Sequence, residues 1–164
     1  MSKKIYKNDY TNLHGYAVTD DGAFGKALEA CLTGKRCKTA GKVDFWYAHK
    51  AFESKTGAGE LGFAGHLLPG VQYVLYCPVV IADADGSIDP YKQEAFVLTR
   101  QAFLETLEAA GAIREKTTTA GYRKITIQTF WNRKLGKPHG ALLYRLLDGL
   151  YDNCECTLEE MLAE

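Results

Sequence analysis

Residues Val71 to Ile81 read Val-Gln-Tyr-Val-Leu-Tyr-Cys-Pro-Val-Val-Ile, apolar at nearly every position. A strand with one wet face alternates apolar and polar residues, so a near-continuous apolar run needs cover on both faces. The run therefore predicts a central strand with further elements packed above and below it. Pro78 has no N–H to give to a ladder and predicts a bulge or a strand end inside the run.

The flanking sequence supplies the cover. Phe24, Ala27, Leu28, Cys31 and Leu32 recur at helical spacing, which predicts a first helix over residues 21–33, stopped by Gly34. Gly41 to Gly57 is rich in aromatic and β-branched residues in its first half and predicts a hairpin. Residues 56–70 hold five glycines and predict a loop, with a helical turn near Gly62-Phe63-Ala64. Asp83 to Ser87 predicts a turn and Glu94 to Leu98 a short strand. Thr99 is placed to cap a second helix with Phe103, Leu104, Leu107 and Ala110 inward and Gly111 at its end. Arg123 to Trp131 alternates as a strand does. Residues 140–151 form a leucine stripe for a third helix, and residues 158–163 a short closing one. This order predicts an α/β protein, a mixed central β-sheet flanked by helices.

A chain of 164 residues suits a single domain with a substantial core. No run approaches the ~18 apolar residues of a membrane span. The N-terminus is basic without the apolar stretch of a signal peptide, and the five cysteines are odd in number, so a disulfide framework is not expected. A cytoplasmic protein is the expectation. Formal net charge is zero, so global charge announces no nucleic-acid partner. Its distribution is uneven. Arg114, Lys116, Arg123, Lys124, Arg133, Lys134 and Lys137 face a single acid, Glu115, between residues 113 and 137, and the segment after Leu147 is acidic.

Chemistry concentrates in the hairpin. Glu53 and Lys55 lie two apart on its second strand and so share a face, and Asp44 on the first strand can meet them. Two carboxylates and an ammonium in one place are costly unless something binds there, and a hard divalent cation with a phosphodiester would satisfy all three. With eight residues between Asp44 and Glu53, a helix carrying Glu29 before them, and an apolar strand and amphipathic helix after them, the chain resembles the PD-(D/E)xK nuclease superfamily. Val43 stands where that family nominally has proline, and Ser54 is more polar than the usual middle residue.

The resemblance implies a restriction-endonuclease-like α-β-β-β-α-β core over residues 21–131. An N-terminal arm (1–20) would precede it and a C-terminal helical extension (132–164) would follow. It implies a metal-dependent DNA endonuclease or DNA-processing nuclease using Mg²⁺ or Mn²⁺. Asp44, Glu53 and the Ser54 carbonyl would ligate the metal, Lys55 would position or activate water, and Glu29 would be an auxiliary acid. Two-fold association would suit duplex cleavage. Lys35, Arg36, Lys38 and Lys42 form a basic group beside Asp44, and Arg123, Lys124, Trp131, Arg133, Lys134 and Lys137 interleave charge with aromatic surface. Both groups are expected to contact DNA through phosphates and stacking. The other reading is a non-catalytic phage or mobile-element protein on the same scaffold, binding DNA or inhibiting a host defence nuclease complex.

Two further motifs carry less. Gly57-x-Gly59-x-x-Gly62 matches a dinucleotide fingerprint by letter but lacks the repeated βαβ units around it. Asp83 to Asp89 lacks the terminal Glu of a calcium loop and is expected to be a polar turn.

Overall fold

A computed structural model describes residues 6–10, 17–18, 27–28, 37–38, 45–47, 50–56, 60–63, 72–119, 122–127, 131–132, 137–138 and 140–163. In chain order its strands begin with β1 (Ala17–Val18), β2 (Cys37–Lys38), β3 (Phe45–Tyr47) and β4 (Lys50–Thr56). Next come β5 (Glu60–Phe63), β6 (Tyr73–Cys77), β7 (Val80–Ile81) and β8 (Phe96–Thr99). The last five are β9 (Ile113–Thr119), β10 (Tyr122–Ile127), β11 (Trp131–Asn132), β12 (Lys137–Pro138) and β13 (Cys156–Thr157). The helices are α1 (Arg100–Ala109), α2 (Gly140–Asn153) and α3 (Leu158–Leu162). The fold is mixed α/β.

The main sheet has six strands in the order β13-β8-β6-β4-β3-β2. Its β4–β6 pair is parallel and the rest are antiparallel. The apolar run at Val71 explains its centre. Along β6, Val74 and Tyr76 enter one buried cluster with Phe96, Leu98, Phe103, Leu107 and the α2 leucines. Leu75 and Cys77 enter a second cluster on the opposite face with Phe52, Val97, Leu158, Met161 and Leu28. A strand buried on both sides cannot alternate with polar residues, and this one does not.

The strand stops at Cys77, immediately before Pro78. Val80 and Ile81 turn away to pair with β1 instead. Buried Gln93 replaces a strand neighbour for β7: its Oε1 accepts from the Ile81 amide at 2.8 Å and its Nε2 donates to the Ile81 carbonyl at 2.9 Å.

Helix ends follow local chemistry. The Thr99 hydroxyl accepts from the Ala102 amide at 3.1 Å, capping α1, and Gly111 beyond its C-terminus has φ +73°, a conformation glycine adopts without a Cβ penalty. The α2 stripe Leu143, Leu146, Leu147, Leu150 is wholly buried. Gly149 faces α1 closely enough that a Cβ there would meet Thr106 Cγ2 at 3.2 Å. Thr157 and Glu160 form a reciprocal capping box at the start of α3. Since α2 completes one core and β13–α3 the other, the C-terminal helical extension is integral to both.

Three expectations need correction. Residues 60–63, expected as loop with a helical turn near Gly62-Phe63-Ala64, form β5, because β10 supplies a ladder that intrinsic propensity does not foresee. The strand expected over Arg123 to Trp131 ends at Ile127, and Trp131 pairs with Pro138 in a separate ribbon. Strand β9 was not anticipated. It completes a second, three-stranded sheet, β5-β10-β9. In the main sheet, β8 is the short strand expected over Glu94 to Leu98, and it stands between β6 and α1 as one strand more than the α-β-β-β-α-β order implied by the resemblance. Of the expected first helix, Ala27 and Leu28 are described, and both are helical.

Candidate functional site

Strand β4 carries the site. Tyr47 pairs with Lys50 and Phe45 with Phe52, so β3 and β4 form the expected hairpin around a two-residue connection. On its other side β4 runs parallel to β6, with Glu53 beside Val74 and Lys55 beside Tyr76. Residues paired in a ladder share a face, so Glu53 and Lys55 project on the side of Val74 and Tyr76. Phe52 projects the other way and stacks on Tyr73 with ring centroids 5.5 Å apart.

The charged pair is in contact. Lys55 Nζ lies 3.2 Å from Glu53 Oε1, with side-chain exposures of 21% and 12%. The second oxygen, Glu53 Oε2, is buried and has no hydrogen-bond partner among the described residues. A carboxylate accepts through both oxygens, and leaving one dry and unpaired carries a desolvation penalty. Ser54 is buried and its side chain alternates to the opposite face, beside Leu75, so any role for it at this site would fall to its main-chain carbonyl.

The other expected site residues divide into two groups. Asp44, Glu29, Lys35, Arg36, Lys42, Arg133 and Lys134 lie outside the described residues. Lys38 is on β2 opposite Trp46, which is itself opposite Ala51, two residues before Glu53 on β4. Arg123 and Lys124 are on β10, paired with Phe63 and Gly62 of β5. Only residues 57–59 separate β4 from β5. Four Cα–Cα steps span at most about 15 Å, so the second sheet begins near the Lys55 end of β4. Trp131 and Lys137 belong to the β11–β12 ribbon. Among the described residues no three His, Cys, Asp or Glu side chains form a group that could hold a metal ion.

A second carboxylate site was not foreseen. Glu94 is 1% exposed and accepts hydrogen bonds from the Tyr151 hydroxyl on α2 and from the backbone amide of Lys7. Around it the N-terminal arm docks: the Tyr6 hydroxyl donates to Asp148, Lys7 Nζ pairs with Glu159 at 3.0 Å, and Tyr10 is buried beside Tyr144. Burial, with Glu94 beside it, pushes the Tyr151 hydroxyl well above the usual tyrosine range. Glu94 is fully partnered and enclosed by tyrosines, whereas Glu53 is half-paired and reaches solvent. Glu94 is thereby tied to the docked arm, while Glu53 has Lys55 as its partner on one oxygen.

Compared with protein-family models, with curated proteins and with solved structures, the chain matches none.

Proposed function

We propose that the chain is a metal-dependent nuclease that hydrolyses DNA phosphodiester bonds at Glu53 and Lys55, on a restriction-endonuclease-like core. The observation that carries this reading is the state of Glu53: one oxygen is held by Lys55, and the other is buried without a hydrogen-bond partner among the described residues. The supporting frame is a hairpin strand with a parallel apolar neighbour, which sets Glu53 and Lys55 side by side on one face.

Asp44 completes the proposal. It is the residue immediately before β3, whose Phe45 pairs with Phe52 on β4, and it is proposed as the second carboxylate. The donor set is then two carboxylates and the Ser54 carbonyl, all hard oxygens, which suits Mg²⁺ or Mn²⁺ with bound waters completing the shell. When bound, such an ion polarises the phosphoryl oxygen and lowers the pKa of a coordinated water.

The chain's own residues do the rest. Lys55 holds the attacking water and places positive charge where the phosphorus oxygens become more anionic. Water adds to phosphorus and gives up a proton to solvent, the P–O bond to the leaving oxygen breaks, and that oxygen takes a proton from a second water. Lys38 on β2 and Arg123 and Lys124 on β10 are proposed phosphate contacts flanking the site. Glu29 is proposed as an auxiliary acid.

Supercoiled plasmid tests the reading. Wild-type protein should nick or linearise it with Mg²⁺ and not with EDTA, while Glu53→Gln and Lys55→Ala should lose about two orders of magnitude or more in rate. Equal cleavage by all three proteins removes the proposal. DNA binding that persists in EDTA without turnover would instead favour the non-catalytic reading.

A further inference from the structure

We propose that Lys55 is the internal counter-ion of Glu53, and that a divalent cation arriving at the site displaces it and so frees its ammonium for the substrate phosphate. The inference rests on the nuclease reading for its purpose, but its structural premise is independent of turnover. Lys55 Nζ already sits 3.2 Å from Glu53 Oε1, on the face that Oε2 shares. A Mg²⁺ ion binds carboxylate oxygens at about 2.0–2.1 Å. With the ion on this carboxylate and the ammonium still against Oε1, a double and a single positive charge would stand within about 5 Å in a half-buried site, where Coulomb repulsion is poorly screened.

Residue identity makes the displacement directional. Lys55 has three donors and no acceptor, so once released from Glu53 it needs another anionic oxygen. Its stem is flexible and its partner in the ladder, Tyr76, is fully buried, which closes the way inward and leaves the solvent side open. A phosphodiester arriving at the metal presents such oxygens. Glu53 thus holds Lys55 until a cation takes its place, and the site acquires its phosphate-binding charge after the cation binds. The order of assembly is cation first, DNA second.

Two measurements on the full chain test this without cleavage. The first compares Mn²⁺ affinity of wild type and Lys55→Met by electron paramagnetic resonance. Removing the competitor should tighten binding on the order of tenfold. The second follows reductive methylation of Lys55 by mass spectrometry, with and without Mg²⁺, other lysines serving as internal reference. Lys55 labelling should rise severalfold with Mg²⁺ in wild type, and be high and Mg²⁺-independent in Glu53→Gln. Equal or weaker Mn²⁺ binding by Lys55→Met, or Lys55 labelling indifferent to Mg²⁺ in wild type, overturns the proposal. If Lys55→Met fails to fold, the wild-type labelling decides alone. Plasmid cleavage is scored separately: displacement without cleavage keeps this inference and removes the nuclease reading, and cleavage with an unmoved Lys55 does the reverse.

Discussion

Glu94→Gln is expected to destabilise the protein by roughly 3 kcal/mol, from one lost charge-assisted hydrogen bond and a Tyr151 O–H left without its acceptor, because the new NH₂ can only donate to the Tyr151 oxygen. Glu94 is 1% exposed, so water cannot compensate. Its carboxylate accepts from the Tyr151 hydroxyl through Oε2 and from the Lys7 amide through Oε1. An amide side chain can accept from one of these partners and must turn its NH₂ toward the other. The backbone amide of Lys7 cannot reverse its polarity, so the amide oxygen should stay there and Tyr151 should lose its acceptor. Hydrogen bonds to charged groups contribute about 1.5–3 kcal/mol each, and a buried donor left unpaired costs about 1–3 kcal/mol. Tyr151→Phe removes the donor instead and should cost about 2 kcal/mol. Because both changes break the same bond, the double variant should be more stable than additivity predicts by about 1.5 kcal/mol. Urea denaturation with an unchanged slope measures all four corners of the cycle. If Glu94→Gln unfolds within about 0.5 kcal/mol of wild type, or the two changes add, the carboxylate does not hold the arm as described.

Burial raises the Tyr10 and Tyr76 hydroxyls above the ordinary value of 10.0, so the folded chain binds those protons more tightly than the unfolded chain does. Their stabilisation is complete below pH about 10 and falls as pH rises further, by about 1.4 kcal/mol per pH unit for each tyrosine. Tyrosinate absorbance at alkaline pH should therefore show its last component appearing together with loss of circular dichroism; complete titration in a folded protein would contradict the burial. The Cys77 thiol is buried and raised well above the usual range by that burial, whereas Cys154 and Cys156 are partly exposed. Native protein should label at Cys154 and Cys156 and resist labelling at Cys77 until denatured, and comparable native rates at all three would refute this.

Where a structural signal is local, the sequence displayed it. Thr99 and Gly111 bracket α1 because capping depends on residues within one turn, and the α2 leucines recur at helical spacing because one face is buried. Pro78 marked a strand end because the missing N–H is a property of the residue itself. Signals that depend on distant partners were invisible. Strand β5 exists because Ile125 and its neighbours pair with Leu61 and its neighbours, and the glycine-rich stretch around it gives no hint of that ladder. The Glu94 site joins residues 87 and 57 positions apart in sequence. At the candidate site the same division holds. The shared face of Glu53 and Lys55 follows from the period of a strand and was legible. The orphaned Oε2 depends on what surrounds it in space, and no reading of Glu-Ser-Lys could show it.

That oxygen also gives a way to separate Glu94, which holds the arm, from Glu53, which is proposed to bind a cation, through stability alone. Glu53 contributes an ion pair to Lys55, whose ammonium is near enough to solvent to be hydrated if released. Partly exposed pairs of this kind are worth about 0–1 kcal/mol. Against that stands a buried acceptor with no partner among the described residues, a penalty of about 1–3 kcal/mol. Glu53→Met, similar in length and without either oxygen, removes both terms and packs against the apolar face of Val74. In EDTA it should be as stable as wild type or more stable by about 1 kcal/mol, the opposite sign from Glu94→Gln, while abolishing the proposed cleavage. Thermal and urea unfolding of the two variants side by side provide the comparison. A Glu53→Met protein that loses as much stability as Glu94→Gln would mean that Glu53 is satisfied by its surroundings, and the case for a cation at this carboxylate would fail with it.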